Sequence, residues 1–180
     1  LMLSLWFIIC SVVLLFKSLG SIHITVNFYT LFFILLITLV WFLSPKLIRR
    51  FGKEPTRLME DPKNKNWNML RFDYKFMLIK YFEVIFQEAV FLFIYFVLLS
   101  EITQNNIVLY FAVIIALFHL GNLFTTPIKW VIIYFLLSIP MGFIWGILLG
   151  EGLVLITFGL HLLFYILFNA YFWLSKKKSV

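Results

Sequence analysis

Charge and cysteine are scarce in this chain of 180 residues. Only 13% of its residues are charged, whereas soluble domains carry about 25%. A single cysteine excludes a disulfide-stapled secreted domain, and 8 Gly with 5 Pro exclude collagen-like chains. The low charge, combined with a hydrophobic content of 63%, also excludes a disordered chain and a soluble globular enzyme.

Long apolar runs are what the chain has instead, with 23 Phe and a mean hydropathy of +1.03. A helix needs about 20 apolar residues to cross the hydrocarbon of a bilayer, and barrel strands are only about half as long. The sequence therefore predicts an all-α polytopic membrane protein with a single transmembrane domain over residues 1–180. We expect about six helices in one bundle, at residues 1–16, 27–43, 76–99, 107–125, 128–149 and 152–174.

The first of these runs is expected to be a membrane helix. A secretory signal carries basic residues before its apolar stretch, and none precedes this run.

Most basic residues lie in segments that six alternating helices would place on the same side of the membrane. Nine Lys or Arg lie in segment 44–75, one at Lys129 and three at 176–178. Because positive charge favours the cytoplasmic side, we predict a basic cytoplasmic loop at 44–75 and cytoplasmic termini, in a bacterial plasma membrane. Anionic lipid headgroups are the expected partners. Nucleic acid is not an expected partner, because Glu54 and Glu60 interrupt the basic run.

The third predicted span holds ionisable side chains that a bilayer disfavours. Lys80, Glu83 and Gln87 follow the i, i+3, i+7 spacing of one helix face, so Lys80 and Glu83 can neutralise each other. Glu88 lies about 140° around the helix from Glu83, where no cation of its own helix reaches it. We therefore expect Glu88 either to be protonated or to find a partner on another helix.

Two histidines in other spans are the candidate partners for Glu88. At about 1.5 Å per residue, Glu88 lies about 18 Å from the cytoplasmic end of its helix, His161 about 20 Å and His119 about 10 Å. The predicted site therefore combines Glu88 with His161 and His119. Three further residues are expected to support the site: Gln87, next to Glu88 in the sequence, and Asn122 and Tyr165, near the two histidines.

A glutamate and two histidines in an apolar interior could activate a water molecule in two ways. In one, the carboxylate and an imidazole deprotonate a water, and the second imidazole donates to the oxyanion of a cleaved amide. In the other, the three groups hold a zinc ion whose bound water attacks. The sequence has neither a His-Glu-x-x-His motif nor a pair of cysteines. No cofactor is therefore expected. A metal ion held by residues from distant parts of the sequence remains an alternative.

The order of these residues resembles the CPBP family of intramembrane proteases, which includes CAAX prenyl endopeptidases and bacteriocin-immunity proteins. That family carries Glu-Glu-x-x-x-Arg, Phe-x-x-x-His and His-x-x-x-Asn or Asp on successive helices. The similar segments are 86–92 (Phe-Gln-Glu-Ala-Val-Phe-Leu), 115–119 (Ile-Ala-Leu-Phe-His) and 161–165 (His-Leu-Leu-Phe-Tyr). The resemblance implies a general base at Glu88, assisted by His119, with His161 helping to hold the oxyanion.

Four positions depart from the family pattern. Gln87 replaces the first Glu, Leu92 the Arg, Ile115 the Phe and Tyr165 the Asn or Asp. The resemblance implies cleavage of a membrane-associated peptide or protein. Oligomeric state, substrate and turnover stay open.

Two other functions fit the same residues. In a non-catalytic membrane protein, such as an immunity factor or assembly subunit, the polar groups only hold helices together. A proton-coupled transporter would use them as a relay, although the sequence shows no inverted repeat.

Overall fold

The computed structural model describes residues 2–18, 24–55, 70–102, 106–124 and 127–175. These residues form helices and short connections without any strand, which confirms the predicted all-α class. The six main helices are α1 (Met2–Ser18), α2 (Phe28–Phe51), α3 (Tyr74–Phe93), α4 (Ile107–Leu120), α5 (Ile128–Gly150) and α6 (Val154–Leu174). A π-helical segment, Ile94–Leu99, and a final helical turn, Ser100–Ile102, extend α3, and a 3-10 turn, Gly121–Phe124, follows α4.

Four helices of the described chain are long and apolar enough to cross a membrane. They are Phe28–Phe51, Tyr74–Leu99, Ile128–Gly150 and Val154–Leu174, with mean hydropathies of 1.8 to 2.3. The apolar parts of the other two helices are shorter, at Leu5–Leu15 and Ile107–Leu123. Large apolar side chains are exposed on the outside of the bundle, as expected for a surface in contact with lipid.

Helix pairs build the bundle. α4 packs along α5, α1 along α3, and α2 along α6, while α3 also contacts α6. α2 and α6 run parallel, because the backbone N–H of Thr25 donates to Gly152 O (2.8 Å) at one end and that of Lys53 donates to Trp173 O (3.0 Å) at the other. We call the second of these ends, where α2 and α6 finish and α3 begins, the basic end.

α2 continues beyond the predicted boundary at Leu43 and enters the segment assigned to the basic loop. Pro45 lies within the helix and has no N–H to offer the carbonyl of Trp41. The Ser44 hydroxyl donates to this oxygen instead (2.9 Å), so the Trp41 carbonyl is paired and the helix continues to Phe51. Of the predicted loop, residues 56–69 lie outside the described residues, as do Lys176–Lys178 near the chain end.

Glycines bring α4 and α5 into close contact. A Cβ added at Gly142 would lie 2.7 Å from the Ala112 Cα, and one added at Gly146 would lie 3.0 Å from a methyl carbon of Val108. This four-residue spacing of small residues is typical of helix pairs in membranes, where close packing replaces the hydrophobic driving force. The contacts also fix the register, because positions 142 and 146 of α5 lie level with 112 and 108 of α4.

Replacing Gly142 with alanine is expected to lower the free energy of unfolding by about 1–3 kcal/mol, because the added methyl meets backbone and the helices must move apart. SDS-induced unfolding in mixed micelles measures the change. Gly121→Ala is the control, since a Cβ there has no heavy atom within 4 Å. Equal stability of the two variants would contradict the close contact.

Candidate functional site

Glu88 lies in the C-terminal half of α3, between the two apolar cores of the bundle. Val84, one turn before it, belongs to the core formed with α2 and α6, and Leu92, one turn after it, belongs to the core formed with α4 and α5. The side chain therefore points inward, and the residue is only 4% exposed. A carboxylate in this position needs hydrogen-bond partners, since neither core supplies water.

Three side chains from two other helices surround the Glu88 carboxylate. Trp145 of α5 donates its indole N–H to Oε1 (3.0 Å), and His161 Nδ1 of α6 lies 2.8 Å from the same oxygen. Thr157 Oγ1, one turn before His161, lies 2.9 Å from Oε2. The structure thus brings Glu88 and His161 together, and adds two partners that the sequence analysis did not identify.

Aromatic rings fix the orientation of the His161 imidazole. Phe91 stacks on one side of it (6.0 Å between ring centres, 3° between planes), and Tyr165 also stacks on it (5.6 Å, 9°). The indole of Trp145 stands at 90° to the ring. These contacts restrict rotation of the imidazole, so Nδ1 stays directed at the carboxylate.

The hydroxyl of Thr157 can form a hydrogen bond with Glu88 whether or not the carboxyl group is protonated. Thr157 Oγ1 lies 2.9 Å from Glu88 Oε2 and 2.8 Å from Val154 O, but it has only one hydrogen to donate. When Glu88 is ionised, the hydroxyl can donate to Oε2. When Glu88 is protonated on Oε2, the carboxyl can donate to Thr157 while the hydroxyl donates to Val154 O. Both forms of Glu88 are therefore satisfied in the same arrangement.

His119 does not join this cluster. Its Nδ1 lies 2.8 Å from Ile115 O of the same helix. The register of α4 and α5 places Trp145 level with about residue 109 of α4, so His119 is about 15 Å further along the helix axis. Asn122 lies beyond His119, in the 3-10 turn after α4. The predicted three-residue site is therefore, in the structure, a pair formed by Glu88 and His161.

A second polar group lies nearer the basic end. The Lys80 ammonium pairs with Glu83 Oε2 (2.7 Å), and the Gln87 amide donates to Glu83 Oε1 (3.2 Å), which confirms the predicted neutralisation of Lys80 by Glu83. Lys80 also lies 4.9 Å from the ring centre of Tyr165. Because Tyr165 stacks on His161, it is in contact with both polar groups.

A cleft of about 240 Å³ is lined in part by Glu88. Glu88 is the one charged residue of its lining, and the others are apolar or aromatic and come from α1, α3 and α6. They include Leu15, Ile85, Leu92, Leu155 and Phe158. The cleft can therefore take an apolar group and place it beside Glu88.

Position 92, where the resemblance implies an arginine, is apolar in this chain. Leu92 is 3% exposed and packs in the α4 and α5 core, so the donors to Glu88 are the neutral groups of Trp145 and Thr157 together with His161. Within the described ranges, no group of three His, Cys, Asp or Glu side chains could hold a metal ion.

Comparison with protein-family models, with curated proteins and with solved structures finds no match to this chain.

Proposed function

We propose that this chain is an intramembrane endopeptidase-like protein of the CPBP type, which hydrolyses a peptide bond of a membrane-associated substrate with a water activated by Glu88. One observation carries the proposal: Glu88 lines the cleft and is held by hydrogen bonds from other helices at the same time. A carboxylate has about four acceptor positions, and three are used. We infer that the remaining position, on Oε2, accepts a hydrogen bond from a water in the cleft.

The residues take defined roles in this reaction. Glu88 removes a proton from the water, whose oxygen attacks the carbonyl carbon of the substrate. His161, held by the stacked rings, donates to Oε1 and keeps the carboxylate in place. Hydrogen bonds from Trp145 and Thr157 restrict the rotation of the carboxylate group. Glu88 can then return the proton to the leaving amine. His119, which the resemblance assigns as the assistant, has no part in these steps.

The membrane arrangement is proposed on the same basis. We infer that all six helices cross the membrane, with the basic end and both termini in the cytoplasm of a bacterium. Exposed basic side chains at the end of α2 and the start of α3 support this orientation, since positive charge is retained on the cytoplasmic side. They are Lys46, Arg49, Arg50, Lys53, Arg71 and Lys75.

A second candidate function is that of a non-catalytic membrane protein, such as an immunity factor or an assembly subunit. The observation that favours it is that one carboxylate joins three helices, α3, α5 and α6, through hydrogen bonds. The separation of His119 from Glu88 and the leucine at position 92 also agree with this role. Under this hypothesis Glu88 contributes only to packing and specificity.

Glu88→Gln distinguishes the two functions. We expect new protein N-termini in the membranes of bacteria that express the wild type. The variant is expected to give at least a 100-fold lower yield of these N-termini, because an amide cannot act as the base. Labelling of N-termini and mass spectrometry measure the products. Glu101→Gln, which changes an exposed carboxylate at the far end of the α3 extension, is the matched control and is expected to leave the products unchanged. Identical products with Glu88→Gln, or none with the wild type, would exclude the endopeptidase.

A further inference from the structure

The cleft lined by Glu88 is the gap between α1 and α6, with α3 as its floor. The two outer helices contact different sides of α3. Phe86 stacks on Phe7 of α1 (5.4 Å between ring centres), whereas Glu88 contacts Thr157 of α6. Because positions 86 and 88 point about 200° apart around a helix, α1 and α6 leave part of α3 uncovered between them.

The cleft opens on the surface of the bundle. Leu15, Ile85, Leu155 and Phe158, which line it, are all partly exposed. In a bilayer the outer surface of the bundle meets hydrocarbon, so molecules dissolved in the membrane can enter the cleft without crossing the protein.

The size and lining of the cleft suit the apolar part of a small ligand. Its volume is about 240 Å³, and every lining residue other than Glu88 is apolar or aromatic. An apolar cavity of about 150 Å³ holds one benzene molecule, so this cleft can take a phenyl group with a short alkyl chain. Pockets of this kind bury the apolar part of a ligand and orient it through the few polar groups in their walls.

The carboxylate of Glu88 has an acceptor position to offer such a ligand. Oε1 is contacted by Trp145 and His161, whereas Oε2 is contacted by Thr157 alone among the described residues. Since each carboxylate oxygen accepts about two hydrogen bonds, the open position is on Oε2.

The charge of an ionised Glu88 favours a cationic ligand. None of its three described contacts is a Lys or Arg, and Lys80 of the same helix is paired with Glu83 (2.7 Å). A protonated amine supplies a hydrogen-bond donor and a positive charge together. Hydrogen bonds of this charge-assisted kind are about twice as strong as neutral ones.

We propose that the cleft binds an amine dissolved in the membrane, with its apolar stem between α1 and α6 and its protonated nitrogen hydrogen-bonded to Glu88 Oε2. The stem fills the apolar part of the cleft, and the nitrogen takes the open position on the carboxylate. Binding needs only the cleft and the ionised carboxylate, so this inference does not depend on hydrolysis by Glu88.

NMR titration of the protein in nanodiscs of zwitterionic lipid tests the proposal. The probe is N,N-dimethyl-2-phenylethylamine, and the reporter is the ¹⁵N-labelled indole of Trp145, which donates to the same carboxylate. We expect a saturable shift of the Trp145 signal. The Trp173 indole, which donates to Leu70 O (2.8 Å), is the internal control and is expected not to shift. Each indole signal is assigned by a Trp→Phe variant.

A ligand of the same shape without the charge separates the amine from its stem. In 3-methylbutylbenzene a C–H group replaces the protonated nitrogen of the probe. At equal concentration in the lipid, we expect it to bind at least about 10-fold more weakly than the amine. Equal binding of the two molecules, or no saturable shift with the amine, would overturn the proposal.

Glu88→Gln removes the charge and keeps an oxygen that accepts from Trp145. We expect it to weaken binding of the amine at least about 10-fold, whereas Glu101→Gln, at an exposed position, leaves binding unchanged. Unchanged affinity in Glu88→Gln would place the amine elsewhere and contradict the proposal.

Leu155→Phe tests the position of the stem. The larger side chain occupies part of the cleft, so binding is expected to weaken at least about 5-fold. Leu167→Phe is the matched control on the same helix, at a position that is 59% exposed, and is expected to bind the amine like the wild type. Equal affinity of the two folded variants would exclude this cleft as the site. The comparison of the two ligands on the wild type decides the question even if Leu155→Phe does not fold.

Discussion

Replacing Glu88 with leucine is expected to lower the free energy of unfolding by about 3–5 kcal/mol. The change leaves the indole N–H of Trp145 and Nδ1 of His161 without an acceptor inside the bundle. Each unsatisfied buried group costs about 1–3 kcal/mol, and removal of one partner of a buried pair costs about 3–5 kcal/mol. SDS-induced unfolding in mixed micelles measures the loss.

Glu88→Gln keeps the shape of the side chain and most of its hydrogen bonds, so it serves as the comparison for Glu88→Leu. The amide oxygen still accepts from Trp145 and His161, and the amide nitrogen can donate to Thr157, whose hydroxyl then donates to Val154 O. We therefore expect a loss of only about 1 kcal/mol. Glu101→Leu, at an exposed position, is the control for removal of a carboxylate and is expected to have no effect beyond about 0.5 kcal/mol. If Glu88→Leu is as stable as Glu101→Leu, the hydrogen bonds to Glu88 do not stabilise the bundle.

The pairing of Glu88 with His161 could be predicted because the alternatives were few. An acid in an apolar span needs a partner, its own helix offers none on that face, and the depth estimates for Glu88 and His161 agree to about 2 Å. The same estimate gave His119 a depth about 8 Å smaller. In the structure the separation is larger, about 15 Å from the level of Trp145, because close packing at Gly142 and Gly146 fixes the height of α4 against α5.

Trp145 and Thr157 could not be identified from the sequence for a physical reason. Both are neutral, so neither brings a charge into the membrane that another helix must compensate, and tryptophan is also common at membrane interfaces. The spacing of Thr157 and His161 by four residues places them on one face of α6. That spacing becomes informative only after Glu88 is known to face α6.

The sequence predicts too early an end for α2. The composition after Leu43 is typical of a loop, whereas local hydrogen bonding continues the helix. Serine, proline and four basic residues at 44–53 are typical of a loop, which is why the predicted span ends at Leu43. In the structure Ser44 satisfies the carbonyl that Pro45 leaves free, and Arg49 and Arg50 lie in the last turn, where positive charge is favourable. Polar residues at the end of a membrane helix therefore do not define where the helix stops.

Combining Glu88→Leu with His161→Leu is expected to recover about 1–3 kcal/mol of the stability lost in Glu88→Leu alone. With both partners apolar, Nδ1 is gone, and Thr157 still donates to Val154 O, so only the Trp145 indole loses its acceptor. Replacement of a whole buried polar pair by apolar side chains is less costly than removal of one member. The double-mutant cycle gives this as a coupling free energy between positions 88 and 161.

The matched cycle uses His119 in place of His161. Because His119 Nδ1 lies against Ile115 O on its own helix, Glu88→Leu and His119→Leu are expected to add within about 0.5 kcal/mol. Coupling at 161 with additivity at 119 would establish the pair in the membrane-embedded protein without any knowledge of a substrate. Coupling at 119 would instead place that imidazole beside Glu88, restore the three-residue site and require a different height of α4 in the bundle. The two cycles therefore test the arrangement on which both candidate functions depend.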